Sequence, residues 1–109
     1  MTATGQDFSV YAGDDFDVVV TVKDANDALL DITGFTIDWS VNGIVDKSVG
    51  SGITMTDPVN GVFTIAIVPT DTAGKHGTYP HAARCTDLVG KKSVVMEGNI
   101  SIRQTVAGI

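Results

Sequence analysis

Apolar and polar residues alternate with a period of two along most of the chain. The clearest segment is 35–41, in which every second residue is apolar: Phe35, Ile37, Trp39 and Val41. Successive side chains of a β-strand point to opposite faces of a sheet, so this pattern predicts a strand with one buried face. No segment shows the apolar period of a helix, and the alternation predicts an all-β protein.

The same alternation predicts further short strands. A first strand begins at Phe8, and the others cover 16–23, 35–41, 44–49, 53–55, 62–68, 79–86 and 94–102, with a brief extended piece at 29–32. The inward residues of these strands form the predicted core: Phe16, Val18, Val20, Phe35, Ile37, Trp39, Phe63, Ile65, Tyr79, Ala83, Met96 and Ile100.

Turn residues separate these strands. Asn42-Gly43 is the preferred dipeptide of a two-residue hairpin, while 24–27, 57–61 and 87–90 are rich in Asp, Asn and Gly. Segment 69–74 predicts one helical turn that Thr70 or Asp71 caps and Gly74 ends. Gly98 predicts a bulge in the last strand.

About seven to nine short strands at this spacing predict an antiparallel two-sheet sandwich, with a closed barrel as the alternative. Two residues favour an immunoglobulin-like sandwich: Trp39 lies in mid-strand, and Tyr79 follows a turn as a tyrosine corner does. We expect the sandwich to span 8–103, with an N-terminal arm at 1–7 and a C-terminal tail at 104–109.

Composition narrows the function. The 109 residues suit a single domain, and 13 acidic against 7 basic residues give a net charge of −6. Lys91-Lys92 is the only basic cluster. An acidic surface repels phosphate, so we expect neither nucleic acid nor an anionic membrane as a partner.

Cys85 is the only cysteine in the sequence, which excludes an internal disulfide. Residues 1–7 lack the basic and apolar regions of a signal peptide, so we expect synthesis in a cytosol.

Oxygen donors in the turns raise the possibility of a calcium site. They are Asp14, Asp15, Asp17, Asp24, Asn26 and Asp27. The segment from Asp24 lacks the Gly and Glu of a calcium loop, so the favoured interpretation is turn carboxylates in water. His81 and Cys85 lie four residues apart on one strand, about 13 Å at 3.3 Å per residue, which is too far to share a metal ion. We predict no metal site; His81 is interpreted as a semi-buried strand residue that bonds a neighbour, and Cys85 as a small core residue.

Catalytic motifs are missing from the sequence. No serine stands in a Gly-x-Ser-x-Gly elbow, and there is no phosphate loop or dinucleotide fingerprint. We therefore predict no catalytic residue and no cofactor. A glycan site needs exposed aromatic rings, and the alternation leaves Tyr11 as the single candidate.

Three segments between Phe8 and Ile102 resemble a family of small immunoglobulin-like domains of tailed-bacteriophage virion proteins. The first contains a Gly-Asp entry into a long apolar strand and an Ile-Thr-Gly turn: AGDDFDVVVTVKDANDALLDITGFTIDWSV. The second ends its strand in Pro-x-Asp-Thr: SGITMTDPVNGVFTIAIVPTDTAG. The third has a Gly-x-Tyr strand, an Asp…Gly hairpin and a final strand with Gly: GTYPHAARCTDLVGKKSVVMEGNISI.

This resemblance implies a structural part of the virion rather than an enzyme. Receptor-binding members join the domain to long fibre segments, whereas this chain stops soon after its last strand. We therefore expect a capsid decoration, or cement, protein that binds major capsid protein, is made in the host cytoplasm and resides in the virion. The alternatives are a tail or baseplate adaptor and a glycan- or calcium-binding module. A homo-oligomer is possible. The predicted contact residues are Thr2, Thr4, Gln6, Val45, Lys47, Val62, Ala66, Gln104, Val106 and Ile109.

Overall fold

The computed structural model describes residues 7–24 and 26–104, and within them the fold is all-β. Five of the predicted contact residues, Thr2, Thr4, Gln6, Val106 and Ile109, lie outside these ranges. The strands are β1 (Phe8–Tyr11), β2 (Phe16–Thr21), β3 (Thr36–Val41), β4 (Val45–Val49), β5 (Gly52–Asp57), β6 (Val62–Ile67), β7 (Gly77–Thr86) and β8 (Lys92–Arg103). A 3₁₀ turn, Pro58–Asn60, precedes β6, and one short helix, α1 (Pro69–Thr72), follows it.

The eight strands form two layers. Hydrogen-bonded pairing between neighbouring strands is continuous through both layers, in the order β1-β8-β7-β3-β4-β5-β6-β2. β4 and β5 pair in parallel at only two positions, Ser48 with Gly52 and Val49 with Ile53, and this short link joins the layers along one edge. One layer holds β8, β7 and β3, which correspond to immunoglobulin strands G, F and C; the other holds β5, β6 and β2, which correspond to D, E and B. The immunoglobulin-like sandwich is therefore confirmed. Its edge strand β1 departs from the antiparallel expectation, because it pairs in parallel with β8.

The core lies between the two layers. Eleven of the twelve predicted core residues are buried or half-buried. Phe16 is the exception, because it begins edge strand β2 and is exposed. Its ring stacks on Phe8 of the opposite edge strand at 5.9 Å between centroids, so it covers the seam between β1 and β2.

Trp39 and Tyr79 occupy the positions that the sequence predicted for an immunoglobulin-like core. Trp39 is fully buried on β3, and its Nε1 donates a hydrogen bond to Nδ1 of His81 at 3.1 Å. The Tyr79 hydroxyl donates to the backbone carbonyl of His76 at 2.7 Å, which is the hydrogen bond of a tyrosine corner. His81 follows Tyr79 by two residues, where antibody domains have their second core cysteine. An imidazole thus takes the place of a disulfide beside the tryptophan.

Two local predictions were wrong. The hairpin between β3 and β4 has a three-residue loop, since Val41 pairs with Val45. Gly43 alone takes positive φ there, at +75°, so Asn42 does not form the expected two-residue turn. The bulge of β8 lies at Val95 rather than at Gly98, because the register shifts between Ala83 and Arg84 while Gly98 pairs regularly with His81.

The predicted helical turn is confirmed as α1. Asp71 caps it from inside the first turn, since its carboxylate accepts a hydrogen bond from the Val68 amide at 2.8 Å. The same carboxylate lies 2.7 Å from Nζ of Lys47 on β4, and the two side chains are only 12% and 9% exposed. This ion pair ties α1, which leads from one layer to the other, to β4.

Candidate functional site

The carboxylates of Asp24 and Asp31 accept hydrogen bonds from backbone amides of their own turns. Oδ1 of Asp24 accepts hydrogen bonds from the amides of Asn26 and Ala28 at 2.8 and 3.0 Å. Asp31 accepts from the hydroxyl and the amide of Thr33, and these hydrogen bonds lower the pKa of its carboxyl group. Among residues 7–24 and 26–104, no three His, Cys, Asp or Glu side chains come together in a way that suits a metal ion. The interpretation of Asp24 as a turn carboxylate is confirmed.

His81 and Cys85 both belong to the interior of the sandwich. His81 is packed against the ring of Phe8 as well as Trp39. Cys85 is a buried free thiol, and burial, assisted by the negative charge of Asp87, raises its pKa. Cys85 is therefore confirmed as a core residue, whereas His81 is more deeply buried than the semi-buried strand residue that the sequence predicts.

The described members of the predicted contact set are divided between surface and interior. Gln104 is exposed, while Val45, Val62 and Ala66 are half-buried. Lys47 is occupied by its ion pair with Asp71, and its stem lies over Gly52, where an added Cβ would come within 2.4 Å of the Lys47 side chain. The structure therefore places the Lys47 ammonium in an internal contact.

One outer face of the sandwich is nearly free of charge. Register pairing places Val19 of β2 beside Thr64 of β6, and Thr64 beside Thr54 of β5. The Thr56 and Thr64 hydroxyls lie 3.2 Å apart, and Val19 is 66% exposed. Two carboxylates lie at its rim, because Asp17 pairs with Ala66 and Asp57 pairs with Val62. We call this surface the valine–threonine face: Val19, Thr54, Thr56, Val62, Thr64 and Ala66.

The opposite outer face carries a shallow depression of about 710 Å³ over β3, β7 and β8. Small residues form its floor. Ser40 of β3 pairs with Ala82 of β7, and Pro80 and Gly98 lie beside them. Polar side chains surround the floor: Asp7, Asn42, Glu97 and Asn99. Most of the exposed lining is apolar, the hydrogen-bonding groups lie around it, and the lining residues include no aromatic ring other than buried His81.

The loops at one end of the sandwich expose large apolar side chains. Leu88 and Val89, in the hairpin between β7 and β8, are 74% and 81% exposed. Leu29 and Val59 are exposed on the two neighbouring loops, which are joined by a hydrogen bond from the Ile32 amide to the Pro58 carbonyl. The sequence pattern predicts a turn at 87–90 and no contact there. The one indication of an exposed apolar patch in the sequence is that Leu88 and Val89 stand between the Asp and the Gly of that turn.

Comparison with known proteins gives little further guidance. No family model and no curated protein matches the chain. Among solved structures, the chain is similar to one described as "GspB Siglec domain", with 18% identity and a TM-score of 0.46. That match covers 91% of this chain and 54% of the other, so the chain spans about half the length of that structure. A match at this level carries no argument about function, and the fold assignment rests on the strand order of the chain itself. Within the described residues, no helix is both long and apolar enough to cross a bilayer.

Proposed function

We propose that this chain is a non-enzymatic structural protein of a tailed-phage virion that decorates the capsid by binding major capsid protein. The observation that carries the proposal is the valine–threonine face, a sheet surface whose centre, Val19, Thr54 and Thr64, is uncharged on a chain of net charge −6. Apolar area that a partner removes from water contributes about 25 cal/mol per Å² before the costs of association, and the carboxylates of Asp17 and Asp57 lie at the margins of the face rather than at its centre. The resemblance of segments 8–102 to phage virion domains supplies the class of partner.

A cement protein stabilises a shell by binding assembled capsomers in preference to free ones. Each contact adds association free energy to the assembled state, so the shell withstands heat or chelation better when the protein is bound. A standard protein–protein interface buries about 800 Å² on each partner.

The direct test uses purified heads that lack the protein, separated tails, and the full chain. We expect negative-stain microscopy and co-sedimentation to show many copies of the chain on heads. Val19→Lys combined with Ala66→Lys should weaken that binding, and Asp38→Lys, at an exposed position on β3 in the other layer, is the charge-matched control. Binding to tails alone would favour the tail or baseplate adaptor, and binding to neither particle would overturn the proposal.

The depression over β3, β7 and β8 supports a second candidate, a glycan-binding module. Its amides and carboxylates, Asn42, Asn99, Asp7 and Glu97, are groups that hydrogen-bond to sugar hydroxyls. A glycan array tests this candidate, and Asn42→Ala combined with Asn99→Ala should abolish any hit. An array without hits, together with a melting temperature that calcium and chelator leave unchanged, would remove the glycan- or calcium-binding alternative.

A further inference from the structure

We infer that the hairpin tip, residues 87–92, is an anchor that inserts into an apolar pocket with an acidic rim on a partner protein. The inference rests on the proposed function only in assuming that the chain binds another protein. It assigns the contact to a part of the chain that neither the sequence nor the resemblance indicated.

Exposure is the first argument for the tip. Leu88 and Val89 are the two most exposed large apolar side chains among the described residues. Complete burial of one such side chain contributes about 1.5–3 kcal/mol relative to leaving it in water. The two are adjacent in sequence on a protruding hairpin, so one pocket on a partner can cover both.

The tip is held in a fixed shape before it binds. Oδ1 of Asp87 accepts hydrogen bonds from the amides of Val89 and Lys91 at 3.0 and 2.9 Å. The Gly90 amide donates to the Asp87 carbonyl at 3.1 Å, and Gly90 has φ +90°, which suits glycine. A loop that is already ordered loses less conformational entropy on binding, which raises affinity.

Leu88 is supported from below by a neighbouring loop. A Cβ added to Gly34 would lie 2.9 Å from Cδ2 of Leu88, so the absence of a side chain at position 34 makes room for the leucine. The side chain thus packs on Gly34 while most of its surface faces outward.

Charge identifies the chemistry of the partner. Lys91 and Lys92 are the only adjacent basic residues in a chain of net charge −6. Both are exposed, and neither forms an ion pair with a described residue. Lys91 follows the turn directly, and Lys92 begins β8, where its Nζ donates a hydrogen bond to the Thr86 hydroxyl at 3.3 Å. Positive charge at the base of an apolar tip complements a pocket that is apolar inside and carries Asp or Glu at its rim.

An anionic bilayer offers similar chemistry, but the small size of the tip favours a protein. The tip has only two large apolar side chains, which give weak bilayer insertion. Vesicles therefore enter the experiment as the competing outcome.

The experiment compares full-length variants for binding to purified heads and tails by quantitative co-sedimentation. We expect Leu88→Ser combined with Val89→Ser to weaken binding at least 10-fold. Lys91→Glu combined with Lys92→Glu should weaken binding and remove most of its salt dependence. The controls are Tyr11→Ser, an exposed aromatic on β1, and Lys75→Glu, an exposed lysine, and both should bind like the wild-type chain. The substituted side chains are exposed, so melting curves should match the wild type.

Each outcome decides a different point. If the wild-type chain binds particles and both tip variants bind equally well, the anchor is wrong while the proposed function stands. If the wild-type chain binds neither heads nor tails, the proposed function and the anchor both fail. If it binds phosphatidylglycerol vesicles through Leu88 and Val89 but binds no particle, the partner is a bilayer and the assignment of a protein pocket is overturned.

Discussion

The hydrogen bond between Trp39 and His81 is the residue-scale feature on which the core depends most. Trp39 is fully buried, and its Nε1 donates a hydrogen bond to the imidazole of His81. The ring of Phe8 packs edge-on against the same imidazole. His81→Phe keeps an aromatic ring of similar size but leaves the indole N–H without this acceptor. We expect the free energy of unfolding to fall by about 1–3 kcal/mol, the cost of a buried unsatisfied donor.

Chemical denaturation checks this prediction, with His76→Phe as the control. His76 is exposed in the loop before β7, and only its backbone carbonyl serves the tyrosine corner. We expect the control to stay within about 0.5 kcal/mol of the wild-type chain. A His81→Phe protein as stable as the control would show that the hydrogen bond contributes nothing to the core.

Cys85 gives a prediction in the alkaline range. Its folded pKa is raised above the ordinary value of 9.0, chiefly by burial. The native state therefore holds the thiol proton more tightly than the unfolded state does. This stabilisation is fully present below the unfolded pKa and is lost as pH rises through the folded pKa.

Two measurements follow from the buried thiol. Native protein at pH 8 should react slowly with a thiol reagent and quickly in denaturant. Wild-type stability should fall more steeply than that of Cys85→Ala as pH rises above 9.0, the ordinary pKa of the thiol. Fast labelling of the native protein, or identical pH slopes, would contradict the burial of this side chain.

Sequence reasoning predicted which residues are inward but not which of them touch. Alternation correctly placed Trp39 in the core, while His81 was predicted to be only semi-buried. Their hydrogen bond depends on register: Trp39 pairs with Ala83, so His81 lies on the diagonal two residues away. Register is set by loops and bulges that the period of two does not encode.

At the scale of elements, the Lys47–Asp71 ion pair joins α1 to β4. Removing one partner of a nearly buried ion pair leaves the other charge without compensation. Lys47→Met should therefore lower the free energy of unfolding by about 3 kcal/mol. Adding Asp71→Asn, whose side-chain oxygen still accepts from the Val68 amide, should recover part of that loss. Lys23→Met, which removes the exposed pair with Asp27, is the control and should cost less than about 1 kcal/mol. Strictly additive effects of Lys47→Met and Asp71→Asn in a double-mutant cycle would refute the coupling.

Gly61 marks the closest approach between the loop before β6 and its neighbours. It has φ +78°, and an added Cβ would lie 2.6 Å from the carbonyl oxygens of Val22 and Leu30. Gly50 has a similar φ of +86° with open space around it. Gly50→Ala should therefore lower the free energy of unfolding by about 1–2 kcal/mol, because alanine is strained in left-handed backbone. Gly61→Ala should lower it clearly more, because the added Cβ also clashes with the two carbonyl oxygens. If urea denaturation gives the same loss of stability for Gly50→Ala and Gly61→Ala, the neighbouring backbone moves aside without strain and the prediction is wrong.

The errors at this scale have local physical causes. Asn42-Gly43 suits a two-residue turn, but the loop includes Ile44, whose amide donates to the Val41 carbonyl. In β8 the adjacent apolar residues 94–96 fit either face, so the sequence could not place the bulge at Val95. Period-two reasoning is weakest where consecutive residues are all apolar.

At the scale of the whole molecule, the sequence was sufficient for the fold class and insufficient for the contact surface. Strand number and inward faces follow from alternation and turn chemistry, and the described structure confirms them. Surface exposure of Leu88 and Val89 follows instead from how far a hairpin protrudes beyond its neighbours. A single apolar pair in a turn gives no indication of that protrusion.

The two surfaces lie on different parts of the molecule, which suits a protein that bridges neighbouring subunits. The valine–threonine face belongs to β2, β5 and β6, while the tip lies at the end of β7 and β8. Substitutions at the face and at the tip should therefore act independently, and their effects on the free energy of binding should add.

Quantitative mass spectrometry of gradient-purified virions tests the central claim most directly, because it measures whether the chain is a part of the particle. We predict that the chain co-purifies with filled heads in a fixed molar ratio to major capsid protein, and that the ratio is retained in head fractions after tails are removed. Recovery of the chain only in the soluble fraction of the lysate, with none in particles, would contradict the account.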